Sequence, residues 1–150
     1  MAATATASVS PCLDREAAYR AVEAINALRE RGAPCADSAR LSPLSWDRRL
    51  AATSTELAQD LARRDELSHL DARQRPLEVR LAAGGYDAQT AGENLAAGQR
   101  DFSQTLDAWA ASPKHCDNLM SAQFSDVGLA CVERNGSTYR RFWVAQLARR

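Results

Sequence analysis

His69 and His115 are the two side chains of this 150-residue chain that titrate near neutral pH without help from their surroundings, so any acid–base or imidazole–metal chemistry must draw on them. His69 stands in Ser68-His69-Leu70-Asp71, a polar stretch after a helical pattern, and His115 in Ser112-Pro113-Lys114-His115, after a helix that Pro113 breaks. Both leave helix ends, where side chains from distant segments converge. Spacing by itself favours two surface histidines. The third feature is Ala91-Gly92-Glu93-Asn94-Leu95-Ala96, where Gly92 allows a close backbone approach. Strand alternation then sends Glu93 and Leu95 to one face and Asn94 and Ala96 to the other. A carboxylate among apolar neighbours is costly unless it is paired or opens into a cleft, so Glu93 is a salt-bridged structural acid or a functional one.

Two neutral imidazoles and one carboxylate, His69, His115 and Glu93, would make a three-ligand set for zinc or another divalent cation, with an open position that could activate water. Against a hydrolase, no H-E-x-x-H helix presents the ligands rigidly, and a ligating Glu93 leaves no assigned general base. Without metal, Glu93 between two histidines would favour the charged imidazoles and form a proton-sensitive polar cluster. Ser68 and Ser112 adjoin the histidines, but neither lies in G-x-S-x-G, and Ser112 before Pro113 suits a turn that aims His115.

These residues need elements to hold them. Ala18, Ala21, Val22, Ile25 and Leu28 recur at helical spacing, which predicts a helix from Asp14 to Arg31 ended by Gly32. Leu50, Ser54, Leu57, Ala58 and Leu61 predict a second from about Asp47 to Arg64, with Asp47 as its cap. Pro76 opens a short helix through Leu77 and Leu81, and Phe102, Leu106 and Trp109 mark another stripe stopped by Pro113. A short strand is expected around Glu93 to Ala97. Val127 to Glu133 and Tyr139 to Leu147 read as strands of a terminal hairpin, with Asn135-Gly136 as the turn signal. Helices early and a hairpin late describe an α+β domain, helices covering a small antiparallel sheet. Residues 1–13 read as a flexible leader and 14–150 as a single domain. The large aromatics, Trp46, Trp109, Trp143, Phe102, Phe124 and Phe142, fall where core filling is the expected role.

Composition narrows the rest. With 19 basic and 19 acidic side chains the formal charge is zero, and no basic cluster replaces it, which argues against nucleic acid. No apolar run approaches the roughly 18 residues of a membrane span. Cys12, Cys35, Cys116 and Cys131 contain no C-x-x-C pair. Four cysteines allow three pairings. The two local bonds, Cys12 to Cys35 and Cys116 to Cys131, would each be worth about 3 kcal/mol in the chain-entropy model, and the second would pin the His115 loop against the sheet. Disulfides point to an oxidising compartment, secreted or periplasmic. Ala2 to Pro11 lacks the basic and apolar regions of a signal peptide and suits a mature start.

Trp46-Asp47-x-x-Leu50, Ser68-His69, Gly92-Glu93-Asn94-Leu95-Ala96, Trp109-x-x-Ser112-Pro113-x-His115 and Phe142-Trp143-Val144-Ala145-Gln146, in that order, resemble a bacterial member of the CAP superfamily of cysteine-rich secretory, antigen 5 and pathogenesis-related 1 proteins. The resemblance covers roughly Asp14 to Leu147. It implies a three-layer α-β-α sandwich with a shallow cleft where two histidines and two acids meet, and in some members a divalent metal, often zinc, between the histidines. His69, Glu93 and His115 match three of the four positions. Ser112 stands where many relatives carry the second Glu, a substitution shared by bacterial forms. The resemblance therefore implies a cleft formed by His69, Glu93, His115, Ser112 and Asn94, in a monomer whose partner is an unidentified small molecule, lipid or peptide. A metal-dependent hydrolase and an interaction protein with a vestigial cleft are the alternatives.

Overall fold

In the computed structural model, residues 8–36 and 41–150 are described. The first long helix, α1 (Arg15–Arg31), starts where the Asp14 carboxylate accepts the Ala17 N–H at 2.7 Å, and it stops at Gly32, whose φ of 93° few other residues adopt. The second, α2 (Arg48–Arg64), is capped by Asp47, which accepts from the Arg49 and Leu50 amides, and it ends in left-handed Asp65. Three shorter helices follow: α3 (Leu77–Ala83), α4 (Phe102–Ala111) and α5 (Pro113–Leu119), the last with proline in its first turn. Pro113 thus ends one helix and opens another, so His115 lies on a short helix rather than on a loop.

The strands are β1 (Ser10–Pro11), β2 (Ser45–Trp46), β3 (Thr90–Ala97), β4 (Asp126–Glu133) and β5 (Arg141–Arg149). They form one sheet in the order β1-β4-β5-β3, antiparallel throughout this path, while the two residues of β2 pair parallel with the start of β4. The expected hairpin is β4 and β5. Its connection, residues 134–140, is longer than a two-residue turn because Arg134 and Arg140 still pair across it and Asp65 receives the Thr138 N–H and hydroxyl.

Alternation along β4 and β5 sorts the core. Val127, Leu129, Cys131, Trp143, Ala145 and Leu147 face α1, α4 and α5. Ala130, Val132, Phe142 and Val144 face Leu57, Ala58 and Leu61 of α2. Both faces are covered, which makes an α-β-α sandwich and explains why these strands read as continuous apolar runs. Gly128 lets α2 lie directly on the sheet: a Cβ there would stand 2.1 Å from the Ala51 nitrogen. Arg29 fastens the layers from inside. Its buried guanidinium donates to the carbonyls of Ser42, Leu119 and Ser121, tying the end of α1 to the end of α5.

All four cysteines are bonded, but not locally: Cys12 pairs with Cys131 and Cys35 with Cys116. Topology overrides proximity in sequence, because β1 lies beside β4 and the end of α1 lies beside α5. The expected bond from Cys116 to Cys131 is therefore absent, and α5 is pinned to the end of α1 instead of to the sheet. Cys12 and its neighbours also place Ser10–Cys12 inside the domain, ahead of the boundary expected at Asp14. The first seven residues of the expected leader lie outside the described residues.

Candidate functional site

His69 lies on the connection between α2 and α3, and a set of polar contacts shapes that connection. The Leu70 amide donates to Ser68 Oγ, the Ala72 amide to Asp60, and Asp71 accepts from the Arg73 and Arg75 amides and the Arg75 side chain. Burial pushes the Asp71 carboxyl up, but the Arg75 and Arg73 contacts outweigh it and hold it below the usual carboxylate range.

Glu93, on β3, faces the α2 side of the sheet with 2% of its side chain exposed. Its neighbours fill every direction around the carboxylate. Oε1 lies 2.9 Å from His69 Nδ1 and accepts from Arg80 at 3.0 Å; Oε2 accepts from Arg80 at 3.0 Å and from Gln146 Nε2 at 2.9 Å. Gln146 in turn accepts the Thr53 hydroxyl. Arg80 also donates to the His69 carbonyl at 2.9 Å, so one guanidinium holds both the backbone of the histidine and the acid behind its ring. Burial would raise the Glu93 carboxyl, yet the His69, Arg80 and Gln146 hydrogen bonds and the Arg80 charge keep it below its ordinary value. A carboxylate only accepts, so His69 donates from Nδ1, and in the neutral ring Nε2 carries the lone pair, on a side chain that is 60% exposed.

Asn94 points to the other face of the same strand. Its amide nitrogen donates to the His115 carbonyl at 3.0 Å, and its oxygen accepts from Asn118 at 2.9 Å. Gly92 permits this packing: a Cβ there would meet Asn118 Oδ1 at 2.8 Å. β3 is an edge strand, so its two faces bring His69 and α5 to one border of the sheet. Ser112 is the half-buried residue before α5; its carbonyl receives the Cys116 amide and its hydroxyl makes no cap bond. Partial burial, and after it the charge of the nearby His69, lowers the His115 pKa. The rise expected from a neighbouring Glu93 is therefore not what the structure gives.

Among the described residues no group of three or more His, Cys, Asp or Glu side chains is arranged to hold a metal ion. The donor set explains this. Glu93 would have to release a buried guanidinium to ligate, so the ligand set His69, Glu93 and His115 does not fit as three. Arg80 was missed by the sequence reading. Its signal is that Leu77, Arg80 and Leu81 share one helical stripe, which puts a charge on a buried face.

Stability should follow these titrations. His115 is depressed, so below about 6.5, where a free imidazole titrates, the unfolded chain takes the proton first and stability declines as pH falls. Glu93, Asp47, Asp65 and Asp71 are depressed too, so a steeper decline follows below about 4.5. Urea unfolding at pH 8, 5.5 and 3.5 should give successively lower midpoints; a midpoint unchanged down to pH 3.5 would contradict the assignment.

Comparison with known proteins agrees with this architecture. The CAP, Cysteine-rich secretory protein, family matches residues 22–147. An uncharacterised Bacillus subtilis protein, YkwD, is 26% identical over 127 residues, 85% of this chain and 46% of its own length; a B. subtilis membrane protein, YlbC, is 28% identical over 89 residues, 59% of this chain and 26% of its own. The chain thus spans less than half of these curated relatives. Among solved structures, an outer surface protein of Borrelia burgdorferi superposes with a TM-score of 0.81 at 18% identity, covering 95% of this chain and 99% of that one. An extracellular Bacillus anthracis protein with an SCP domain gives 0.70 at 25% identity over 94% of this chain and 45% of its own. No helix among the described residues is long and apolar enough to cross a membrane. A match running from the first helix to the last strand, on a sandwich with these layers, carries more than any single motif: the chain belongs to the cysteine-rich secretory protein, or CAP, family.

Proposed function

We propose that this chain is an extracellular binding module whose ligand, a small molecule, lipid or peptide, enters the border cleft between His69 and His115, and that it works as a monomer. Family membership and two disulfides in an oxidising compartment support the location. The observation that carries the reading is the Arg80–Glu93–His69 arrangement: a buried ion pair holds the His69 ring by Nδ1 on a side chain left 60% exposed, and His115 lies close enough for the His69 charge to lower its pKa. A carboxylate behind a ligating imidazole is the usual way of orienting it toward a cation. His69 and His115 would therefore hold zinc or another divalent cation as a two-residue site, which would supply a Lewis-acidic point for an oxygen or nitrogen of the ligand. Glu93 orients and does not ligate, the buried Asn94 holds the His115 backbone from beneath, and Ser112 flanks His115 at the start of its helix. With Glu93 bound to Arg80, the cleft offers no free carboxylate from this set as a general base, which favours binding over hydrolysis.

Titration calorimetry with zinc chloride tests it. Saturable binding is expected for the native chain. His69→Ala and His115→Ala should each lose at least tenfold, and Glu93→Gln should lose about 10- to 100-fold as an orienting partner does. Equal heats for all four proteins, with folding checked by circular dichroism, would remove the cation site.

A further inference from the structure

Away from the histidines, a cavity of about 770 Å³ opens between α1 and α2 at the sheet border that carries β1 and β2. Leu129 of β4 forms its floor, with Ala18 and Val22 on one wall and Ala51 and Ala52 on the other. Tyr19 and Trp46 line the same hollow and are 70% and 44% exposed. Trp46 is thus not the core filler its sequence context suggests. Two large rings left in water at one apolar hollow mark a surface that another molecule covers.

The floor also has an unpaired edge. The Val127 carbonyl accepts the Asp47 amide and the Cys131 carbonyl accepts the Cys12 amide, both at 2.9 Å and both from this border. Backbone groups alternate sides along a strand, so Leu129, in the same phase between them, turns its N–H and C=O to this border as well. Among the described residues no backbone group meets Leu129 there. The N–H and C=O of Leu129, left open between two very short edge strands, can pair with one residue of an extended chain that enters the gap. The rim supplies charge. Arg15 and Arg48 make no ion pair among the described residues, the Asp14 carboxylate caps Ala17, and Glu23 stands two turns further along α1.

We propose that this hollow binds a short extended peptide with apolar side chains and one acidic residue. Its backbone pairs with Leu129, its side chains enter between α1 and α2, and its carboxylate meets Arg15 and Arg48. An acyl chain ending in a carboxylate would suit the walls and the arginines but would leave Leu129 unpaired, so the peptide is the better occupant. The site is separate from the histidine cleft and stands or falls independently of it.

The probe is an acetylated, amidated pentapeptide, Glu-Val-Leu-Val-Ala, added to the whole chain and followed by amide hydrogen exchange and NMR. Saturable binding is expected, with Leu129 N–H exchange slowed at least tenfold and the Trp46 indole resonance shifted. Ala52→Phe, which fills the hollow, and Arg15→Glu/Arg48→Glu should each weaken it at least tenfold, while His69→Ala should leave it unchanged. The proposal is overturned by no saturable binding up to millimolar peptide, by binding that leaves Leu129 exchange unaltered, or by hexadecanoate occupying the hollow where the peptide does not.

Discussion

Arg80→Met should destabilise the domain by about 3 to 5 kcal/mol, the usual result of removing one partner of a buried ion pair. Glu93 is then left with a buried carboxylate and only Gln146 and His69 as partners. The loss reflects that stranded charge rather than any large net contribution of the pair itself, because forming the pair takes both groups out of water. Arg80→Met/Glu93→Gln should therefore recover at least half of the loss. The double variant removes the charge, keeps a similar volume and still lets an amide meet Gln146. Urea denaturation of the three proteins measures both quantities. A loss below about 1 kcal/mol for Arg80→Met would mean that water reaches Glu93 and that the pair behaves as an exposed one.

Replacing the second disulfide, as Cys35→Ala/Cys116→Ala, should cost about 2 to 5 kcal/mol, since the bond closes a long loop and constrains the unfolded chain. Cys12→Ala/Cys131→Ala should cost about as much for the same reason. The two pairs differ in what else they hold. Cys116 follows His115 on α5, and its bond ties that helix to the end of α1. Cys12–Cys131 joins the sheet border on the far side from β3. Zinc affinity should thus fall in the Cys35→Ala/Cys116→Ala protein and stay near native in the other. Equal affinities in both, at matched folded fraction, would show that α5 positions His115 without the bond.

The helices were legible because their signals are local. Asp14 and Asp47 cap helices that carry an apolar stripe, and Gly32 and Pro113 punctuate them. Alternation in Gly92–Ala96 also put Glu93 and Asn94 on opposite faces, as they stand. What stayed hidden depends on contacts between distant segments. Two-residue strands such as β1 and β2 carry no period, yet β1 decides which cysteine Cys12 meets. The partner of Glu93 is thirteen positions away on another element, and nothing in the acid's own neighbourhood names it. Buried arginines leave one trace. Arg29 follows Leu28 on the stripe with Ile25, as Arg80 does with Leu77 and Leu81, and a cation on an apolar face calls for an internal acceptor.

Glu93 stands at the centre of the site as an anion held by Arg80 and turned toward one nitrogen of His69. Nitrogen-15 NMR of the imidazole rings at pH 8 reads this directly. His69 should carry its proton on Nδ1 with Nε2 bare, and zinc chloride should shift Nε2 while leaving the Nδ1 proton in place. A His69 ring protonated on Nε2 with Nδ1 bare would contradict the assignment, because no ionised carboxylate could then accept from it.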